Sequence, residues 1–358
     1  MRMLEQQQLA PSMPKAAPET SRIHALDGWR GVAIALVLFD HIQDALLQRY
    51  AEPWTQTGQH GVTIFFVLSG FLITTKLMDG QVRLKQFYMR RIFRLLPVAW
   101  TFLAVLFLIG LWLRIPVMPI AEIRSCIFFY RNFSNAGGAA GHYWSLSVEE
   151  QFYVVWPCIL VFAGIRRSRW IAVLCAIACA CYRWWWWAQY DRSLLNCQTQ
   201  VRVDALLVGC LMAMLLVDQK VREAAAHWSR FWAAPALAVL LVCVYRLHWL
   251  PPLCECLAIA ALIATSLVQP TSLLARVLSL KPLCWLGMIS YSLYIWQEPF
   301  MRHWKGWHGP IALSVFMPLV ALISYYYIEL PGTRLGHRLT CTPAPVNATP
   351  LRTIPTTG

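Results

Sequence analysis

The sequence predicts an all-α, polytopic membrane protein of about ten transmembrane helices, with both termini on the cytoplasmic side. Three observations carry that prediction. Of 358 residues, 58% are hydrophobic and only 13% charged, more apolar surface than a water-soluble chain of this length can hide. The apolar residues fall in runs near the length that crosses a bilayer, separated by polar connections. The basic residues cluster in alternate connections. With the N-terminus inside, segments 1–29, 76–94, 165–169, 218–230, 270–282 and 331–358 hold 20 of the 31 lysines and arginines, the bias that sets orientation. A formal charge of +14 would also suit nucleic acid. Here the cations lie in short clusters between apolar runs, so the expected partner is the lipid bilayer and no nucleic acid.

Residues 1–22 are polar, with Pro14 and Pro18, and are expected to be a disordered tail. They hold no apolar core of a cleavable signal peptide, so the first helix is expected to insert uncleaved. The membrane domain is expected over 23–335, followed by a disordered tail over 336–358. The first span, Leu26–Gln48, begins Leu-Asp-Gly-Trp-Arg-Gly. The second is Gly61–Leu77, where Ser69-Gly70 lets a neighbouring backbone come close. Residues 76–94 hold six basic side chains, the densest cationic cluster in the chain. The third span, Leu95–Leu113, has Pro97 in its first turn, where a missing N–H matters little.

Residues 114–146 contain a half-apolar piece, Ile123–Phe129, too short to span, and a turn at Gly137-Gly138. Spans four and five are Ser147–Gly164 and Trp170–Trp187, the latter ending in four tryptophans that suit an interface. Spans six to ten are Val203–Val217, Phe231–Tyr245, Leu253–Val268, Leu283–Phe300 and Ile311–Leu330. The halves lack the matched broken helices of an inverted-repeat transporter. The twelve cysteines form no C-x-x-C pair and lie mostly in apolar runs, so they read as small hydrophobes; no disulfide and no metal site is expected.

Arg30 and His41 stand eleven residues apart in the first span. At 100° per residue they share a stripe, about 16 Å apart along the axis, which places His41 near the midplane if Arg30 marks the entry. Ionisable groups at that depth mark sites by default, although a packing histidine bonded to a carbonyl is the plain alternative. Asp40 and Asp44 flank it, and Asp44 at i+3 shares its face. Arg91 and Arg94, at i and i+3, form a pair suited to phosphate or serve simply as topology determinants. In Gly141–Tyr153, Glu149, Glu150 and Gln151 enter an apolar helix and must line a cavity or pair with Arg or His. Gly287–Pro299 carries hydroxyls at Ser290, Tyr291, Ser292 and Tyr294, then Gln297-Glu298. Arg202 and Asp204 are a candidate buried ion pair.

These stretches together resemble the membrane acyltransferase family 3. The resembling pieces are LDGWRGVAIALVLFDH, FFVLSGFL, the Arg-x-x-Arg of FYMRRIFRLLP, HYWSLSVEEQFYVVWP, RVDALLVG, SYSLYIWQEP and YYYIELPGTRL, in order over about residues 22–335. The resemblance implies a multi-pass protein of the bacterial inner membrane that takes an acyl group, acetyl first, from cytoplasmic acyl-CoA to a hydroxyl of a carbohydrate-containing acceptor. Carried onto matching positions, it implies His41 as catalytic histidine, with Arg30 and Glu149; Arg91 and Arg94 as donor-binding; and Ser69, Trp144, Ser145, Tyr153, Arg202, Tyr291 and Gln297 as acceptor-side or supporting residues. Gln297 is a departure, since the family often has histidine there. His41 would act as general base or carry the acyl group itself. The alternative is a proton-coupled transporter or flippase of a glycan or lipid-linked substrate, relaying charge through His41, Glu149 and Arg202.

Overall fold

A computed structural model of the chain describes residues 24–46, 57–79, 84–114, 117–134, 138–189, 197–244, 252–302 and 315–340. Among these residues every regular element is helical. The order is α1 (His24–Leu46), α2 (Thr57–Met78), α3 (Leu84–Leu113), α4 (Ile120–Ile127), a 3₁₀ turn (Arg131–Phe133), α5 (Tyr143–Gln189), α6 (Thr199–Leu216), α7 (Gln219–Val244) and α8 (Pro252–Val268). Three short helices follow, α9 (Leu273–Leu278), α10 (Lys281–Met288) and α11 (Ser290–Trp296). The last are α12 (Glu298–Arg302), α13 (Met317–Ser324), a π-helical turn (Tyr325–Glu329) and α14 (Leu330–Thr340).

Among the described residues, four stretches are long and apolar enough to cross a membrane: Thr57–Met78, Leu84–Leu113, Thr199–Leu216 and Gln219–Cys243. Pro252–Val268 is apolar but shorter. α5 is 47 residues long and breaks at Gly164, whose φ of 73° and ψ of 166° only glycine adopts readily. The break divides it where spans four and five were expected to meet. α4 coincides with the short half-apolar piece. Two expectations change. Leu283–Phe300 was expected as one helix, but the chain breaks at Ile289, whose φ of −88° and ψ of 2° leave the helical region. It bends again at Gln297, just ahead of Pro299, which has no N–H for the carbonyl one turn back, so that α10, α11 and α12 result. The final helix runs to Thr340, past the boundary expected at 335, and packs on α3, with Arg90 Nε donating to Thr340 Oγ1 at 2.7 Å. Residues 1–23 and 341–358, expected as tails, lie outside the described residues.

α2 is the central helix, packed on α1, α6 and α5, while α1 also packs on α10 and α7 on α8. One apolar cluster joins α1, α2, α5, α6 and α8; a second joins α3, α4, the start of α5 and the end of α11. Large apolar side chains cover the outside, among them Trp112 and Phe162, each 82% exposed, as a bilayer would require. α2 crosses α6 as closely as α1 crosses α9 and α10. A Cβ at Gly70 would lie 1.9 Å from the Leu206 carbonyl oxygen, and one at Gly209 would lie 2.0 Å from that of Val67.

Gly209→Ala is therefore expected to force α2 and α6 apart and destabilise the protein by about 1–3 kcal/mol, as overpacking does. Thermal unfolding in detergent, followed by size-exclusion fluorescence, reads this as a lowered midpoint. An unchanged midpoint would mean that the two backbones do not meet at Gly209.

Candidate active site

A cavity of about 140 Å³ lies between α1, α2, α3, α5 and α11. α2 contributes the stripe Val62, Phe65, Phe66, Ser69, Leu72, Ile73 and Lys76, spaced as one helical face. α2 and the first half of α5 run parallel, since Ser69 meets Glu149 and Thr74 meets Trp156. The cavity is therefore graded along its length. Lys76, Arg91 and Arg94 sit at one end, with Tyr153 and Arg30; Val62, Phe65, Ser145 and Tyr294 sit at the other.

Of the residues singled out in the sequence, the structure brings Arg30, Ser69, Arg91, Arg94, Ser145, Glu149, Tyr153 and Tyr291 to this cavity. Ser69 Oγ donates to Glu149 Oε1 at 2.6 Å, which satisfies a carboxylate placed deep in an apolar bundle. Arg91 grips Glu150, with Nη2 2.7 Å and Nε 3.1 Å from Oε1, and lies 3.2 Å above the Tyr153 ring. Its planar fork thus joins α3 to α5. Tyr291 donates to the Leu95 carbonyl at 2.8 Å. Arg30, Lys76 and Arg94 make no ion pair or hydrogen bond among the described residues, and Arg94 stands against both of the others electrostatically. Arg94 and Arg30 also lie in the field of the buried Glu329 carboxylate, so the cations at this end are partly offset by an acid.

His41, Trp144, Arg202 and Gln297 do not line the cavity. His41 is half-buried on α1, and its electrostatic neighbour is His142, in the connection ahead of α5. The side chain of Asp44, expected beside His41, lies outside the described residues. His142 is buried with its ring edge-on to Phe102 and Tyr294 and its Nδ1 3.8 Å from Glu298 Oε2. Burial first, then the nearby His41, pushes it down to about 3, so it is neutral at physiological pH. Gln297 is wholly buried, and neither amide atom has a hydrogen-bond partner among the described residues.

The expected Arg202–Asp204 pair does not form. Residues two apart on a helix point away from each other, and Asp204 pairs instead with Arg183 of α5. Arg202 lies over the Trp144 ring at 5.3 Å and the Phe66 ring at 6.0 Å. Sequence reasoning passed over Lys76 at the cavity mouth, Tyr294 at its closed end, and His142 with Glu298. Lys76 sat within the basic cluster counted for topology, and Tyr294 is one of four hydroxyls in a short run. His142 opens the run that contains Glu149, so its position was visible but its neighbours were not.

The family model described as an acyltransferase domain matches residues 23–328. The chain is 29% identical over 362 residues to YrhL of Bacillus subtilis (strain 168), provisionally named a peptidoglycan O-acetyltransferase, covering 88% of this chain and 56% of that protein. It is 26% identical over 358 residues to the peptidoglycan O-acetyltransferase OatA of Listeria monocytogenes serovar 1/2a (strain EGD-e), again covering 88% and 56%. Against the O-acetyltransferase OatA of Staphylococcus aureus (strain NCTC 8325) it is 27% identical over 362 residues, covering 87% and 57%. The chain thus spans a little over half the length of these relatives. No solved structure gives a significant match.

A double-mutant cycle distinguishes the two candidate partners of Asp204. Arg183→Ala with Asp204→Ala is expected to show a coupling of about 1–3 kcal/mol in thermal stability, and Arg202→Ala with Asp204→Ala to be additive. The reverse pattern would restore the pair read from the sequence.

Proposed function

Because the chain belongs to the acyltransferase family, we propose that it is a ten-span O-acetyltransferase of the bacterial inner membrane, its termini cytoplasmic, using acyl-CoA as donor and a carbohydrate hydroxyl as acceptor. The observation that carries this reading is the convergence of eight sequence-derived residues on one cavity whose cations gather at a single end. Ten spans is the count read from the apolar runs of the sequence, supported by four described helices long and apolar enough to cross a membrane, and the proposed orientation rests on the basic connections. The family match favours transfer over the transporter reading. The relatives' names point to a glycan acceptor, and a cell-wall-like polysaccharide is the class proposed here.

The cationic mouth suits the phosphates of CoA, with Arg30, Lys76 and Arg94 supplying charge. Arg91 is already shared between Glu150 and Tyr153, so its part is to hold the wall of the mouth and to lend a guanidinium whose partner can change. The apolar stripe of α2 then suits a pantetheine-like arm that carries the thioester inward. The acceptor oxygen attacks the thioester carbonyl carbon, the C–S bond breaks, His41 accepts the hydroxyl proton, and the departing thiolate takes up a proton. In the alternative route His41 is acylated first and passes the group to the acceptor. Glu149, held by Ser69, is the carboxylate that balances the cations along this path.

The test is turnover of radiolabelled acetyl-CoA by the full chain in lipid nanodiscs. His41→Ala is expected to lower it by about 10²–10⁴-fold with insertion unchanged, the range that one acid–base group contributes. Arg94→Ala is expected to raise the donor KM with little effect on kcat. A wild-type protein that neither binds nor consumes acyl-CoA would refute the proposal.

A further inference from the structure

The cavity follows α2 from Lys76 to Val62, about 21 Å of helix, and at the end away from Lys76 two hydroxyls, of Ser145 and Tyr294, line it. Ser145 Oγ and Tyr294 Oη are 2.5 Å apart, and each lies 3.1 Å from the His142 carbonyl oxygen. Three contacts share two protons, so one hydroxyl donates to the other, which donates to the carbonyl. The wall is self-satisfied and uncharged. It is also stiff, because the Tyr294 ring is held at its tip by these bonds and along its edge by Phe65, 6.4 Å between centroids. On its far side lies the His142 ring, 5.4 Å away, with Glu298 beyond it. An aromatic ring pinned across the end of an apolar channel behaves as a ruler. A chain entering from the cationic mouth meets it end-on, and each added methylene must displace ring or backbone.

We propose that Tyr294, pinned by Ser145 and the His142 carbonyl, sets the length of the acyl group, admitting short groups such as acetyl and excluding medium chains such as hexanoyl. This specificity role rests on the acyl-CoA reading above. It requires the ring of Tyr294 more than its hydroxyl, since the ring is what occupies the end of the channel.

The experiment compares acetyl-, butyryl- and hexanoyl-CoA as donors for the full chain in nanodiscs, wild type beside Tyr294→Ala and Tyr294→Phe. The ratio of hexanoyl to acetyl turnover is expected to rise roughly tenfold or more in Tyr294→Ala, the discrimination that one or two methylenes carry in an apolar pocket, and to stay near wild type in Tyr294→Phe. This ratio is insensitive to loss of folded protein, which lowers both rates together. If Tyr294→Ala fails to fold, Tyr294→Leu and equilibrium binding of the same three donors give the same ratio. An unchanged ratio, or a wild type that uses hexanoyl-CoA as well as acetyl-CoA, would overturn the proposal. A wild type that takes no acyl-CoA of any length removes the donor reading itself, and that result is visible before any variant is compared.

Discussion

The backbones of α2 and α6 come together at Gly70 and Gly209, where a Cβ on either helix would sit about 2 Å from a carbonyl oxygen of the other. The contact is cemented where Cys210 Sγ approaches the Gly70 carbonyl oxygen at 3.4 Å. In lipid the hydrophobic effect gives no reason for two apolar helices to associate, so close van der Waals contact between small residues must supply it. The crossing fixes the rotation of α2. With Val67, Gly70 and Phe71 turned towards α6, the stripe from Val62 through Ser69 to Lys76 turns towards α1, α3 and α11, and a cavity can open there. A residue larger than glycine at either point would move that stripe, and with it Ser69 and the carboxylate of Glu149.

Charge is the second constraint. Carboxylates and guanidiniums inside an apolar bundle are tolerated where they find partners, and the structure sorts its charges by that criterion. Arg183 and Asp204 neutralise each other away from the cavity, and Arg131 and Glu122 do so near α4, 3.0 Å apart. Arg91 and Glu150 do so at the cavity wall. Arg30, Lys76 and Arg94 face the cavity together, and the acids nearest them, Glu329 and Glu149, are fewer, so positive charge is in excess at that end. Structural pairs and ligand-facing charges use the same residue types, and position alone separates them.

That separation explains what the sequence made legible. Helices were readable because apolar runs and basic connections are local signals, as was the break between spans four and five, which falls at a glycine. Glu149, Arg30 and Arg94 were readable because an ionisable residue within an apolar run has few structural uses. The partner of Asp204 was not: Arg183 lies 21 residues away on another helix, whereas Arg202 is adjacent in sequence and faces elsewhere. The kinks around Gln297 were hidden because an apolar run gives no sign of where its backbone bends, and the expected span Leu283–Phe300 was read straight through Pro299. Tyr294 was passed over for a related reason. Its importance comes from Ser145 and from a carbonyl, neither of which is near it in the chain.

The two histidines differ in a way that bears on where transfer takes place. His142 is buried and neutral behind the Ser145–Tyr294 wall, while His41 is half-buried on α1, outside the cavity. Under the proposed reaction a donor would enter through the cationic end and an acceptor would approach from the side that holds His41. Such a division places the costly step, delivery of a charged nucleotide carrier, on the side already rich in arginine and lysine. It leaves the far side to His142, the Gln297 amide and the Glu298 carboxylate beside His142, groups that can hydrogen-bond a hydroxyl.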